Sequence, residues 1–324
     1  MHVLVTGAGG MIGRKLAERL AADGAIGPRR VTRLTLADLT APPAPPAAFP
    51  VETVAVDISA PQAAAGLVAA APDVVFHLAA IVSGEAEADF DKGFRVNLDG
   101  TRLLFEAIRA RGNAPRVVFA SSIAVFGGPY PELIDDDFPL APLTSYGTQK
   151  AMGELLLADF SRKGFLDGIG IRLPTICVRP GAPNKAASGF FSSILREPLA
   201  GKAAILPVPD DVRHWFASPR AAVGFLLHAA TLDTVPLGQR RSLNMPGISA
   251  TIAEEIEALR AVAGDEAVRL IRREPDETIM KIVAGWPRNF APQRALALGF
   301  GADRSFRDIV LAHVADELGN RVGG

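Results

Sequence analysis

VLVTGAGGMIGRKL, residues 3–16, is the stretch that decides the fold. An apolar run of strand length at 2–6 meets a glycine-rich turn, and from 11 to 22 apolar residues recur at helical spacing. Gly7, Gly10 and Gly13 fall at the spacing GxxGxxG, directly after the strand and directly opening the helix. Gly7 permits a tight turn, Gly10 lets an anionic group approach the backbone, and Gly13 lets the helix lie close to the strand. A pyrophosphate then sits at the positive end of the helix dipole, against the first-turn residues Met11, Ile12 and Gly13. Glycine-rich turns are common, so the triplet alone is weak; its place between a strand and a helix makes it strong.

Outward from this turn, apolar runs of strand length recur at 33–37, 51–56, 73–78, 116–120 and 168–173. Helix-like stretches lie between most of them, including 94–111 and 145–163. Strand, helix, strand in series predicts an α/β fold, a doubly wound parallel sheet of the Rossmann type covered on both faces. The segment APPAPPAAFP at 41–50 interrupts the pattern, and its prolines exclude a helix and favour an extended surface connection. After 173 the alternation becomes irregular, and a helical pattern returns at 219–231. The expected division is a dinucleotide-binding domain over 1–173, rejoined by 214–244, and a smaller substrate-binding lobe from 174–213 and 245–324.

The dinucleotide fingerprint has a second half, an acid after the next strand. RLTLADL supplies Asp38, placed to accept hydrogen bonds from the adenosine ribose hydroxyls; the bland alternative is a solvated loop acid. The gap exceeds the usual ~20 residues, and the extra length is attributed to a loop, DGAIGPRR, at 23–30. Leu39 and Thr40 follow, with no cation to meet a 2′-phosphate, so NAD is favoured over NADP. Asp57, with Ile58 beside it in AVDI, is a second candidate, at the adenine edge.

SYGTQKAMGELLL, 145–157, places Tyr146 and Lys150 four apart on a helix, on one side of it. A phenol near pKa ~10 is a poor base at neutral pH, and a neighbouring ammonium favours its ionised form. Tyr146 is then able to take a hydroxyl proton while hydride leaves the same carbon. YxxxK occurs on any helix, but this chain has only two tyrosines. Upstream, VVFASSIAVFGG ends a strand at Ser121 and Ser122, at the carboxyl edge where such sheets bind ligands. Ser122 either orients the reacting oxygen or is a turn serine capping the loop; beside the glycine loop, Asp38, Tyr146 and Lys150, the functional reading is preferred.

In order, TGAGGMIG (6–13), HLAA (77–80), VNLDGT (96–101), SSIAVFG (121–127) and YGTQK (146–150) resemble the extended short-chain dehydrogenases/reductases, the group of sugar-nucleotide epimerases and related dehydrogenases. The resemblance implies NAD as cofactor and Ser122, Tyr146 and Lys150 as catalytic residues. It also implies that Asn97 supports a proton-relay water, that Leu78, Ala79 and Ala80 line the cofactor, and that Pro174 and Thr175 lie beside the nicotinamide. His77 ends a buried strand and reads as structural rather than as a base. Ile123 and Ala124 stand where the dehydratases of this group carry an acidic pair, so dehydration is not expected.

The second half, from VRPGAPNKAASGFF at 178–191 through PVPDDVRHWFASPRAA at 207–222, is similar to family members that oxidise a four-carbon sugar acid. The implied reaction is dehydrogenation at C2 of D-erythronate or a close aldonate. Arg213 is the first candidate partner for the carboxylate. Arg179 and Lys185 are further candidates, with exposed loop cations as the equal alternative, and Ser188 is a candidate contact to a substrate hydroxyl. The alternatives are an NDP-sugar epimerase or reductase and, from a different class, a non-catalytic NAD-binding protein.

The remaining composition excludes other classes. With 34 Lys+Arg against 35 Asp+Glu, a net charge of −1 and no basic block, nothing points to nucleic acid. No apolar run is long enough for a membrane span, no leader is evident, and no metal-ligand spacing occurs among the His and Cys residues. A lone cysteine, Cys177, fits a reducing compartment, so a cytoplasmic location is expected. Apolar excess on the helices at 94–111 and 145–163 suggests a homodimer, although packing on the sheet accounts for part of it.

Overall fold

A computed structural model of the chain describes residues 1–181 and 187–321. Seven strands form the main sheet: β1 (His2–Thr6), β2 (Arg33–Asp38), β3 (Val51–Ala55), β4 (Val74–His77), β5 (Arg116–Ser122), β6 (Asp167–Leu173) and β7 (Ser242–Asn244). Their order is β7-β6-β5-β4-β1-β2-β3. β1 pairs in parallel with β2 on one side and β4 on the other, in the registers Val3↔Leu34 and Val3↔Val74. The order therefore reverses between β1 and β4, which opens a crevice at the carboxyl ends of those strands.

Burial on both faces explains the continuous apolar runs: every residue of β1 and β4 is buried. Among the covering helices are α1 (Met11–Asp23), α2 (Gly100–Arg111) and α3 (Ser145–Arg162). Leu4, Val75 and Val117 of the sheet meet Leu104, Phe105 and Ile108 of α2 and Leu157 of α3 in one cluster, all without exposed surface. Each such side chain contributes roughly 1.5–3 kcal/mol of burial.

The chain separates into two units. The first comprises Met1–Val125, Pro142–Arg172 and Val223–Asn244; the second comprises Phe126–Ala141, Leu173–Ala222 and Met245–Gly324. In the second unit, a strand at Arg213–Ala217 pairs in parallel with Thr175–Ile176 and antiparallel with Ile248–Thr251. Its core gathers Phe191, Ile194, Leu195, Phe216, Leu259 and Ile309, all without exposed surface.

The return to the first unit begins at Val223 and not at 214, because the strand at Arg213–Ala217 belongs to the smaller three-stranded sheet. Residues 126–141, expected with the first domain, belong to the second unit, where Phe126 packs on Phe290 and Tyr130 donates to the Gly285 carbonyl. The stretch at 94–111 is not one regular helix: a π turn over Phe94–Asp99 precedes α2. The insertion at 23–30 is a small hairpin, Ala25–Ile26 against Arg29–Arg30, rather than a plain loop.

Candidate active site

The glycine loop is shaped by close approach. Gly7 has φ +74°, and a Cβ there would stand 2.5 Å from the Ala79 nitrogen. A Cβ on Gly13 would stand 2.2 Å from the Gly7 oxygen, so α1 lies directly on the turn. Gly10 caps α1 with no side-chain acceptor, which leaves the first-turn amides of Met11, Ile12 and Gly13 facing outward from the helix end without a capping side chain. Leu78 donates to the Thr6 carbonyl at 3.0 Å and, with Ala79 and Ala80, remains partly exposed beside Gly7.

Asp38 ends β2 and reaches into this loop. Its Oδ2 accepts from the Gly9 amide at 2.8 Å and its Oδ1 from the Leu39 amide at 2.7 Å. A carboxylate has about four acceptor positions, so two remain for hydroxyl donors. A turn no side chain can fill, an uncapped helix end and an acid with unused lone pairs fit the pyrophosphate and ribose of a dinucleotide. Asp57 is exposed and accepts from the Ser59 hydroxyl at 2.6 Å and its amide at 2.9 Å, which holds its carboxyl below the ordinary range. Ile58 is buried, and a Cβ on Gly100 would come within 3.0 Å of its Cγ2.

Three successive residues of β5 engage or neighbour successive turns of α3. Thr144 caps the helix through the Gly147 amide at 3.1 Å, and a Cβ on Gly147 would stand 2.1 Å from the Ala124 oxygen. That contact draws the start of α3 onto the loop following Ser122. One turn on, the buried Lys150 Nζ donates to the Ala120 carbonyl at 2.8 Å. A further turn on, Glu154 accepts from the Ser121 hydroxyl at 2.5 Å and from Arg172 at 2.7 Å, and Arg172 reaches Asn244 at 3.1 Å. Glu154 carries no sequence motif, and its i+4 spacing from Lys150 fits a solvated helix face equally well.

Lys150 Nζ lies 4.9 Å from the Phe119 ring centroid and 5.7 Å from that of Tyr146, so phenol and ammonium share one side of α3. Burial lowers the Lys150 ammonium to about 8, opposed by the Glu154 charge. Beside the ring it favours the phenolate. Ser122 accepts from the Ala124 amide at 3.1 Å through its hydroxyl oxygen.

Asn97 is buried within the π turn. Its Oδ1 accepts from the Ile81 amide at 2.8 Å, and its Nδ2 donates to the Ile81 carbonyl at 3.2 Å and to Gln149 Oε1 at 2.8 Å. The Thr101 hydroxyl donates to the Asn97 carbonyl at 2.7 Å, so its oxygen must accept from His77 Nε2 at 2.9 Å. His77 is then the Nε2–H tautomer, with Nδ1 accepting from the Thr6 hydroxyl at 2.8 Å. Complete burial and the Lys150 charge lower it to about 3, and both ring nitrogens are spent on threonines. The ring is structural.

In the second unit, Pro174 is buried and the Thr175 hydroxyl meets His214 Nε2 at 2.7 Å. Arg179 donates to the Ile176 carbonyl at 3.1 Å and to the Ser188 hydroxyl at 3.2 Å. Arg213 donates to the Ser249 carbonyl at 3.1 Å and pairs with Glu254 at 3.4 Å. Arg213 also lines a cleft of about 230 Å³ with Asp211, Met280 and Arg288. Arg288 carried no sequence motif and was not anticipated. Lys185 lies outside the described residues. Among the described residues, no three His, Cys, Asp or Glu side chains are grouped to hold a metal, and no helix is long and apolar enough to cross a membrane.

Fold and site define an NAD-dependent member of the short-chain dehydrogenase/reductase class. The model of the NAD dependent epimerase/dehydratase family matches residues 3–233, and the chain belongs to that family. It is 48% identical over 320 residues to a D-erythronate dehydrogenase of Cupriavidus necator, covering 98% of each chain. It is 43% identical over 310 residues to a D-erythronate dehydrogenase of Haemophilus influenzae, covering 96% of this chain and 98% of the other. Among solved structures it is similar to a nucleoside-diphosphate-sugar epimerase from Agrobacterium tumefaciens, at 61% identity and TM-score 0.96, covering 98% of this chain and 95% of that one.

Proposed function

We propose that this chain oxidises the C2 hydroxyl of D-erythronate or a close aldonate with NAD⁺ as cofactor. The observation that carries the chemistry is the buried Lys150 ammonium, fixed by the Ala120 carbonyl and turned to the same side as the Tyr146 ring. The substrate rests on the two D-erythronate dehydrogenases that match nearly the whole chain. Tyr146 takes the hydroxyl proton, Lys150 keeps the phenol ionisable and holds the nicotinamide ribose, and Ser122 orients the substrate oxygen. Asn97 supports the path by which that proton leaves. Bound NAD⁺ supplies the hydride acceptor.

In this reading Gly7, Gly10, Met11, Ile12 and Gly13 hold the pyrophosphate and Asp38 the adenosine ribose. Asp57 and Ile58 lie at the adenine, and Leu78, Ala79, Ala80, Pro174 and Thr175 line the rest of the cofactor. Arg213 takes the substrate carboxylate; its side chain is 40% exposed in a cleft it shares with Arg288. Arg179, Ser188 and Lys185 are secondary candidates for substrate contact. A homodimer is part of the proposal, supported by Leu155 of α3 and Phe90, exposed at 67% and 57%. A reducing, cytoplasmic setting is supported by Cys177, a buried free thiol.

A second reading, nucleotide-sugar epimerisation, is favoured by the name of the Agrobacterium tumefaciens structure. An epimerase must keep its NAD through a ketone intermediate, whereas a dehydrogenase must release NADH. The test is NADH formation over four- to six-carbon sugar acids beside UDP- and GDP-sugars, with the cofactor content of the purified protein. Turnover of aldonates by protein that exchanges NAD freely is expected. Turnover of nucleotide sugars alone, by protein carrying stoichiometric NAD, sinks the proposal. Tyr146→Phe is expected to lower kcat by ~10²-fold or more while NAD affinity stays within about twofold; retained turnover removes Tyr146 from the mechanism.

A further inference from the structure

We propose that Gln149 is a positioning residue that holds Asn97 and, through it, the proton path from Tyr146. The inference rests on the dehydrogenase reading above. Gln149 lies between Tyr146 and Lys150 on α3 and has no exposed surface. Its Oε1 accepts one of the two Nδ2 protons of Asn97, at 2.8 Å, and the Ile81 carbonyl takes the other at 3.2 Å. With Oδ1 held by the Ile81 amide and the Asn97 carbonyl held by Thr101, the residue is tied from three directions. Only the Gln149 tie comes from the helix that carries the phenol and the ammonium. It links the π turn directly to that helix, and π turns recur at functional sites.

The other end of Gln149 shows what the amide is for. Among the described residues its buried Nε2 has no hydrogen-bond partner, a costly state for an amide donor. An apolar side chain of the same length would occupy the space without an orphaned donor. What the amide contributes is therefore its oxygen, directed at Asn97. The surroundings are cut to admit it: a Cβ on Gly93 would stand 2.7 Å from Nε2, and 3.2 Å from the Ala86 Cβ. Gly93 is helical, so its lack of a side chain is a matter of space rather than backbone conformation.

Two substitutions separate positioning from packing. Gln149→Met keeps length and burial but removes the acceptor; kcat on the sugar acid is expected to fall about tenfold with KM for NAD⁺ within twofold, and the solvent deuterium isotope effect on kcat to rise as proton release becomes limiting. Gln149→Glu retains an acceptor oxygen and is expected to restore kcat to within about threefold of the parent. A Gln149→Met enzyme with parental kcat and isotope effect overturns the inference. Should that variant fail to fold, Gly93→Ala carries the test, since its methyl displaces Nε2 without altering α3. It is expected to lower kcat in the parent and to add nothing in a Gln149→Ser background; additive losses refute the coupling. If Tyr146→Phe retains turnover, the dehydrogenase mechanism has failed; if Tyr146→Phe is inactive while Gln149→Met is parental, only the present inference has.

Discussion

At the scale of single residues, the decisive event is the removal of one ammonium from water. Lys150 is almost wholly buried, and it compensates through the Ala120 carbonyl and the faces of Phe119 and Tyr146. The compensation is partial, since burial leaves its pKa at about 8. In the unfolded chain a lysine titrates near ~10.4. At pH 7 both states are protonated, and the folded state bears the whole penalty. Between about 8 and ~10.4 the folded protein has released a proton that the unfolded chain keeps, so stability rises with pH across that window. Lys150→Met is therefore expected to be more stable than the parent at pH 7, by roughly 1–3 kcal/mol, and to lose the rise at alkaline pH. Its turnover should fall by ~10²-fold or more. Urea unfolding at pH 7 and pH 10 checks this; a variant less stable than the parent at pH 7 means the charge is fully compensated where it lies.

At the scale of elements, two glycines of one turn separate cofactor binding from folding. The Cβ of Gly10→Ala would meet nothing nearer than the Gly7 oxygen at 3.4 Å, an ordinary contact. The fold should tolerate it, yet in the proposed reading the methyl stands where the pyrophosphate approaches. Calorimetry with NAD⁺ is expected to show affinity weakened at least tenfold, about 1.4 kcal/mol, with Tm little changed. The Cβ of Gly13→Ala would lie 2.2 Å from backbone, so that variant should lose Tm as well. Equal losses of Tm would mean that both glycines serve packing alone. This turn, the acid of Asp38 and the Tyr146–Lys150 face of α3 were all readable from sequence, because period and spacing dictate them locally. The π turn was not, since one extra residue in a helical turn leaves the apolar pattern nearly intact. Nor was the sheet to which Arg213–Ala217 belongs: an apolar strand pattern reports a period, not a partner. Gln149 and Glu154 were missed for a related reason, as polar residues on a helix look solvated until their partners on other elements are known.

At the scale of the whole molecule, the question is what covers the apolar surface that neither fold nor site uses. Leu155 sits on α3 one residue beyond Glu154 yet is 67% exposed, with Met152 and Leu156 partly exposed beside it. Phe90 is 57% exposed and packs against Phe94, with tilted rings whose centroids are 4.5 Å apart. In the proposed homodimer a second copy covers these helices, because a twofold interface presents the same patch to itself. Position 155 then enters that interface twice per dimer, once from each copy, and burying a leucine is worth roughly 1.5–3 kcal/mol. Leu155→Glu removes both contributions and sets two carboxylates against each other, so dimer affinity should fall by at least ~10³-fold. Sedimentation equilibrium at micromolar concentration is expected to give a dimer for the parent and a monomer for the variant, with NAD⁺ affinity kept because Leu155 is mostly exposed and is not a candidate cofactor residue. A parent that is already monomeric would leave this face as ordinary exposed leucine.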